Sequence, residues 1–367
     1  MPPLTTVSRI IPELWWYRLL GLGYRWARAG LVAAERLRTS WTHEVFDYET
    51  IVERGDRWLS QLRKQGPDWL TRASIGNVSP TQVYDLTFPS PLTVAAFQSN
   101  QEILKLWLDL GAGGVILKTI LPAPCPGNPR PRLAALPRNG SLAFVNALGL
   151  PGPGIDIFLE QLDPALFAYG RPVGFSLGGN SPEDYIRNVE KVCRWSSEHS
   201  QPSVFLELNI SCPNTPEGQN LSLHPRVLGE TLSQIDSLWP GVVSVKLSPD
   251  APDDLLHRLA DQCSRLKKPV LNAGNTRRVF VRELGLTGKQ FVPATGGLSG
   301  PPLKSRTLEL IRTLHGHGFP LIATGGLETA TDVREALDSG ATLVGMATGL
   351  VKNMYLLPAV NRDLAHA

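Results

Sequence analysis

The stretch LELNISCPNTPEG, residues 206–218, ends an apolar run in side chains that can do chemistry. Asn209, Ser211, Cys212 and Asn214 fall within six positions, followed by Pro and Gly. Amides carry both donors and acceptors and suit a ligand with carbonyls and ring nitrogens. A cysteine is usually a small buried hydrophobe, the reading that fits Cys193 and Cys263 within helical patterns. Cys212 instead stands in a polar loop before Pro213, a poor core site. As a catalyst it would be a proton acceptor or a nucleophile. No sequence pattern pairs it with a histidine, which favours a base acting without one.

Other candidates end other apolar runs. Lys118 and Lys246 read as neighbouring strand ends. Buried lysines are costly unless an anion meets them, so they point to an anionic ligand or an electron-rich cofactor; internal salt bridges are the plain alternative. ATGGLSG (294–300) and ATGGLET (323–329) are glycine-rich turns before helical stretches. Backbone N–H groups at such helix starts bind phosphate, although either turn alone also reads as an ordinary connection. Asn146, in NALGLPGPG, and Asn272 are further amides that could bind a ligand or cap a turn.

These residues need elements to aim them. From residue 91, short apolar runs alternate with helical stretches: PLTVAA, GGVILK, PVGFSL, VFLELN, VVSVKL, PVLNA, PLIAT and TLVGM. The runs are continuous, as strands buried on both faces should be. Eight strand–helix units predict a (β/α)8 TIM barrel, with a doubly wound open sheet as runner-up. No GxGxxG follows the first strand, so a nicotinamide domain has no support. Barrel chemistry sits at the C-terminal strand ends. Read in order, these ends are Ala95–Ala96, Lys118–Thr119, Ser176, Asn209 to Asn214, Lys246, Asn272, Gly325–Gly326 and Ala347–Thr348. The two glycine-rich turns would then form a phosphate site after strands seven and eight.

The division expected is a helical N-terminal extension over residues 1–80 and a barrel over 81–367, with Pro80–Pro91 as linker. Residues 10–40 read as amphipathic helix, with a break near Gly21–Gly23. Residues 1–40 hold six Arg and two Glu, a local balance of +4 in a chain of +3. Such a segment can lie in a membrane interface or dock on the protein's own body. Near-neutral charge argues against nucleic acid as partner. Four scattered cysteines with no CxxC pair disfavour a metal cluster and a disulfide scaffold, and fit a cytoplasmic setting, peripheral to the inner face of a membrane if the arm binds one.

PGNPRPRL (126–133), NALGL (146–150), NISCPNTP (209–216), VKLSPD (245–250), TGGLSGPPLK (295–304) and TGGLETATDVREALDSGAT (324–342) occur in one order across roughly residues 90–355. Together they resemble dihydroorotate dehydrogenase, the flavin enzyme of pyrimidine synthesis. The resemblance implies FMN at the barrel mouth and oxidation of dihydroorotate to orotate. It implies that Asn146, Asn209, Asn214 and Asn272 bind the substrate and that Lys118 lies between FMN and the substrate carboxylate. Ala95, Ala96, Thr119, Ser176, Asn209, Lys246, Gly300, Gly325, Gly326, Ala347 and Thr348 would hold the flavin, and Cys212 would take the ring proton. Cys and Lys are like those of the soluble class, while the N-terminal extension is similar in kind to that of the membrane-associated, quinone-reducing class. The electron acceptor is therefore a quinone or a soluble oxidant. The first strand ends VAAFQSN, with Phe97 near the place of the family's glycine. Two rival readings are a flavin barrel like tRNA dihydrouridine synthase and a degenerate flavin-binding barrel with a partner- or membrane-binding arm.

Overall fold

The computed structural model describes residues 13–138, 141–201, 203–211 and 220–366. Eight parallel strands close into a barrel: β1 (Leu92–Val94), β2 (Gly114–Ile120), β3 (Val173–Leu177), β4 (Val204–Asn209), β5 (Val243–Leu247), β6 (Pro269–Ala273), β7 (Leu321–Thr324) and β8 (Leu343–Met346). Neighbours in sequence are neighbours in space, and the ring closes where Val344 pairs with Leu92. These are the eight apolar runs of the sequence. Their continuous apolarity has the expected cause: Leu92, Leu117, Phe175, Leu208 and Val245 are all buried between the barrel interior and the surrounding helices.

Three sequence expectations about the barrel change. Residues 80–91 are not a linker. Thr81–Val83 and Leu86–Phe88 form an antiparallel hairpin. Its Val83, Leu86 and Phe88 pack on Phe205, Val242 and Val270, at strand starts, closing the end of the barrel opposite the mouth. ATGGLSG is not a turn. Thr295–Ser299 is a strand in a four-stranded antiparallel sheet with Arg277–Phe280, Ser141–Asn146 and Leu133–Arg138. Glycine is needed there because a Cβ on Gly297 would meet Thr276 Oγ1 at 2.1 Å. The phosphate-type turns consequently follow β6 and β7 rather than strands seven and eight: Gly300 precedes the Lys304–His315 helix, and Gly325–Gly326 follow β7.

Two N-terminal helices, α1 (Glu13–Thr42) and α2 (Tyr48–Gln65), lie beside the mouth. Asp47 caps α2, accepting from the Glu49 N–H at 2.9 Å. The break expected near Gly21–Gly23 does not occur; α1 is continuous. Gly21 is buried, and a Cβ there would sit 2.8 Å from the Asn353 amide, so this glycine serves close approach to the barrel. Tyr17 is buried, and Tyr24 donates to the Val351 carbonyl at 3.3 Å, so one face of α1 docks on the body. The other face exposes Trp15, Leu19, Leu22, Trp26, Leu37 and Trp41. Residues 1–12 lie outside the described residues. Among the described residues no helix is long and apolar enough to cross a membrane.

Candidate active site

A cavity of about 420 Å³ occupies the C-terminal mouth of the barrel and continues beneath α1 and α2. Its inner half is polar. Lys118 and Thr119 enter from the end of β2, Asn209 from β4 and Lys246 from β5. The lysines are therefore not on neighbouring strands, since β3 and β4 separate them, yet they face one cavity. Asn146 enters from the antiparallel sheet. Ala95 and Ala96 follow β1, and Ala347 and Thr348 follow β8.

Gly300, Gly325 and Gly326 complete the wall with φ of +97°, +137° and +72°, a region side chains rarely adopt. A Cβ on Gly326 would lie 2.6 Å from the Lys304 nitrogen and 2.8 Å from the Gly300 carbonyl oxygen. This is a recess built from backbone, the kind of surface that meets phosphate. Thr324 Oγ1, also at this wall, is buried without a partner among the described residues. The donor set and the side-chain-free recess fit a flavin nucleotide.

Below the mouth lies a network that the sequence did not reveal. Glu207, in the middle of β4, is fully buried. Its carboxylate accepts from Ser176 Oγ at 2.9 Å and Asn272 Nδ2 at 2.7 Å, and Lys246 Nζ stands 3.9 Å away. Ser176 Oγ is 3.0 Å from Thr119 Oγ1, which accepts from Asn209 Nδ2 at 2.8 Å. Ser176 and Asn272 thus belong to a layer beneath the cavity, while Thr119, Asn209 and Lys246 belong to its surface. A charged residue inside an otherwise apolar strand was the available signal for Glu207.

Asn275 is the second residue not anticipated. It lines the cavity, whereas Asn272 does not. Its amide donates to Ser211 O and Ser211 Oγ, both at 3.1 Å. Ser211 is the last described residue before the loop carrying Cys212 and Asn214, both outside the described residues. Asn275 therefore holds the near end of that loop at the mouth. The sequence NAGNT offered two asparagines, and the strand-end rule selected the earlier one.

Burial pushes the Lys118 ammonium pKa down, Glu49 pulls it up, and Arg132 lowers it further. Among the described residues Lys118 has no ion pair, so an anionic ligand would favour its charged form. The roof is held by charge. Arg132 forms a two-pronged bond to Glu49 at 2.9 and 3.0 Å, and Arg130 reaches Asp47 at 2.5 Å and Glu53 at 2.8 Å. The outer half is largely apolar, bounded by Leu31, Ile51, Leu59, Phe97 and Phe144. Phe97 packs on Trp107 with ring centroids 5.3 Å apart and belongs to this outer wall.

A family model for dihydroorotate dehydrogenase matches residues 79–367. The chain belongs to the dihydroorotate dehydrogenase family. Family membership places it among flavin-dependent oxidoreductases that act on a CH–CH bond. Its relatives include a dihydroorotate dehydrogenase (quinone) of Mycobacterium sp. (strain KMS), 32% identical over 317 residues, covering 82% of this chain and 85% of the relative. A protein of the same name from Vibrio parahaemolyticus is 29% identical over 305 residues, covering 78% and 85%. The crystal structure of DHODH in complex with ferulenol from Eimeria tenella superposes with a TM-score of 0.71 at 24% identity, covering 85% of this chain and 90% of that one, which supports the fold.

Proposed function

We propose that this chain oxidises dihydroorotate to orotate for pyrimidine biosynthesis, with FMN held at the barrel mouth and a quinone as electron acceptor. The observation that carries this reading is one continuous cavity. It is lined by Lys118, Asn209 and Lys246 at one end and by the apolar side chains beneath α1 and α2 at the other. The names of the relatives supply the substrate and the acceptor class.

The residues divide the work as follows. The recess at Gly300, Gly325 and Gly326, with Thr348, receives the phosphate end of the flavin. Lys246, held by Glu207, and Thr119 meet its polar ring edge. Asn146, Asn209 and Asn214 hydrogen-bond the substrate ring. Asn275 is the better fourth amide than Asn272, because it faces the cavity. Lys118 meets the substrate carboxylate. FMN, when bound, supplies a hydride acceptor. Cys212 takes the proton from the carbon beside the one that gives up hydride, so a C=C bond forms in the ring. The apolar half of the cavity suits a quinone better than a charged soluble oxidant. The exposed aromatic face of α1, with its arginines, would hold that end at a membrane interface where quinones reside.

The charge balance speaks against the RNA-modifying alternative, and the intact set of mouth residues speaks against a degenerate barrel. The test is the cofactor. Purified protein should be yellow and release FMN on denaturation. A colourless protein that also fails to bind added FMN contradicts the proposal.

A further inference from the structure

Among the described residues four carboxylates line the cavity: Glu49, Glu53, Asp56 and Glu328. Three are neutralised by a cation. Glu49 pairs with Arg132 at 2.9 Å, Glu53 with Arg130 at 2.8 Å, and Glu328 with Lys352. Asp56 has no ion pair among the described residues. Gln98 Nε2 donates to its Oδ2 at 3.0 Å. The orientation of that amide is set from the other side, because the Asn100 N–H donates to Gln98 Oε1 at 2.8 Å. Among the described residues Asp56 thus has one oxygen engaged by Gln98, and it lines the cavity together with Val52, Leu59 and Phe97.

Its other neighbours are poor proton donors. On α1, Tyr24 donates to the Val351 carbonyl, and burial pushes its phenol pKa up to about 12. Arg28 donates to Tyr48 Oη at 3.1 Å and lies over the Phe144 ring; a guanidinium does not give up its proton near neutral pH. Burial pushes the Asp56 carboxyl up to about 6, with Glu53 adding to the rise and the Gln98 bond opposing it. An apolar ligand that displaced water from the carboxyl would raise it further.

Reducing a quinone to a quinol takes two electrons and two protons. We propose that Asp56 is the proton donor to the quinone in the outer half of the cavity, an inference that rests on the quinone reading above. One carbonyl oxygen receives the hydride equivalent, two electrons and one proton, that substrate oxidation leaves on the cofactor. The Asp56 O–H bond breaks as an O–H bond forms at the other carbonyl oxygen. The carboxylate is then reprotonated from solvent, and the quinol leaves.

The experiment separates the half-reactions of the FMN-loaded enzyme under anaerobic stopped flow. Wild type, Asp56→Asn and Asp56→Glu are first reduced with dihydroorotate, then mixed with a short-chain ubiquinone or with ferricyanide, which takes electrons without protons. In wild type, quinone reoxidation should quicken as pH falls towards about 6 and then level off. Asp56→Asn should slow it by ~10² and flatten that profile. Asp56→Glu, which keeps a carboxyl, should recover part of the rate. Ferricyanide reoxidation should match wild type in both variants.

A second readout needs no turnover. A carboxyl whose pKa is raised on folding favours the fold below its unfolded value of about 3.9, and that benefit is lost as pH rises through the folded value. Asp56→Asn should therefore melt above wild type at pH 8, with the gap narrowing towards pH 4. Wild-type quinone kinetics in Asp56→Asn, or equal slowing with ferricyanide, would overturn the proposal. A wild-type enzyme that dihydroorotate reduces but no quinone reoxidises would instead remove the quinone reading, and this inference with it.

Discussion

The proposed base is Cys212, and the choice of thiol over hydroxyl has kinetic consequences. An unperturbed thiol has a pKa of about 8.5 and a serine hydroxyl is a far weaker acid, so a thiolate is accessible near neutral pH and an alkoxide is not. General-base catalysis is typically worth ~10²–10⁴ in rate. Cys212→Ala should keep FMN and orotate binding but slow flavin reduction by that factor; Cys212→Ser should retain some activity, rising to higher pH than wild type. Unchanged flavin reduction in Cys212→Ala would mean that the base lies elsewhere. Glu207 gives a prediction about stability. Removing one partner of a buried ion pair costs about 3–5 kcal/mol, and Glu207→Ala would also strand Ser176 and Asn272. Urea denaturation should show a loss of that size, with Glu207→Gln losing less because an amide can keep one of the bonds. At this scale the sequence was legible where a polar side chain near a strand end lines the cavity, as at Lys118, Asn209 and Lys246. It was not legible where partners come from other strands. Glu207 is explained by Ser176, Lys246 and Asn272, which the register of neighbouring strands β3–β6 brings together.

The helix α1 shows how one residue type carries different meanings along a single element. Gly21 and Gly23 read as a break, yet the helix is continuous. Gly23 and Gly30 have open space where a Cβ would stand, whereas Gly21 faces Asn353. Glycine within a helix costs roughly 0.5–1 kcal/mol relative to alanine. Gly23→Ala and Gly30→Ala should each stabilise the protein by about that much in thermal unfolding. Gly21→Ala should not, because the Asn353 amide is held by the Tyr355 N–H at 3.1 Å and cannot easily yield. A melting temperature that rises equally for all three would show that α1 is not seated on Asn353. Tertiary contact, invisible in the local sequence, decides the outcome. The strand Thr295–Ser299 was misread for a related reason: Gly297 serves close packing against Thr276, and Gly296 against Val145 and the Asn146 carbonyl, rather than a turn.

At the scale of the whole molecule, the barrel was legible because parallel strands buried on both faces must be apolar throughout, and all eight runs recur as β1–β8. The closing hairpin was not, since its strands are three residues each and carry two prolines at their flanks. The amphipathic arm was legible as a helix with two available faces, and the structure uses one of them on the barrel. If the other face binds membrane, the full-length protein should bind anionic liposomes, with several arginines near headgroups adding about 1 kcal/mol each. Deleting residues 1–42 should abolish that binding and lower quinone reduction, because α1 roofs the outer cavity. Flavin reduction by substrate should survive. Unchanged quinone reduction after the deletion would leave α1 as a packing element only.

The reaction proposed for the polar mouth is oxidation of dihydroorotate by transfer of two electrons to a bound flavin. The most direct measurement is anaerobic titration of the purified, FMN-loaded protein with dihydroorotate, following the visible flavin absorbance and the orotate formed. Bleaching should be complete at about one substrate per flavin, with one orotate appearing for each flavin reduced. A flavin that stays oxidised in excess dihydroorotate, while a chemical reductant still bleaches it, would rule this reaction out.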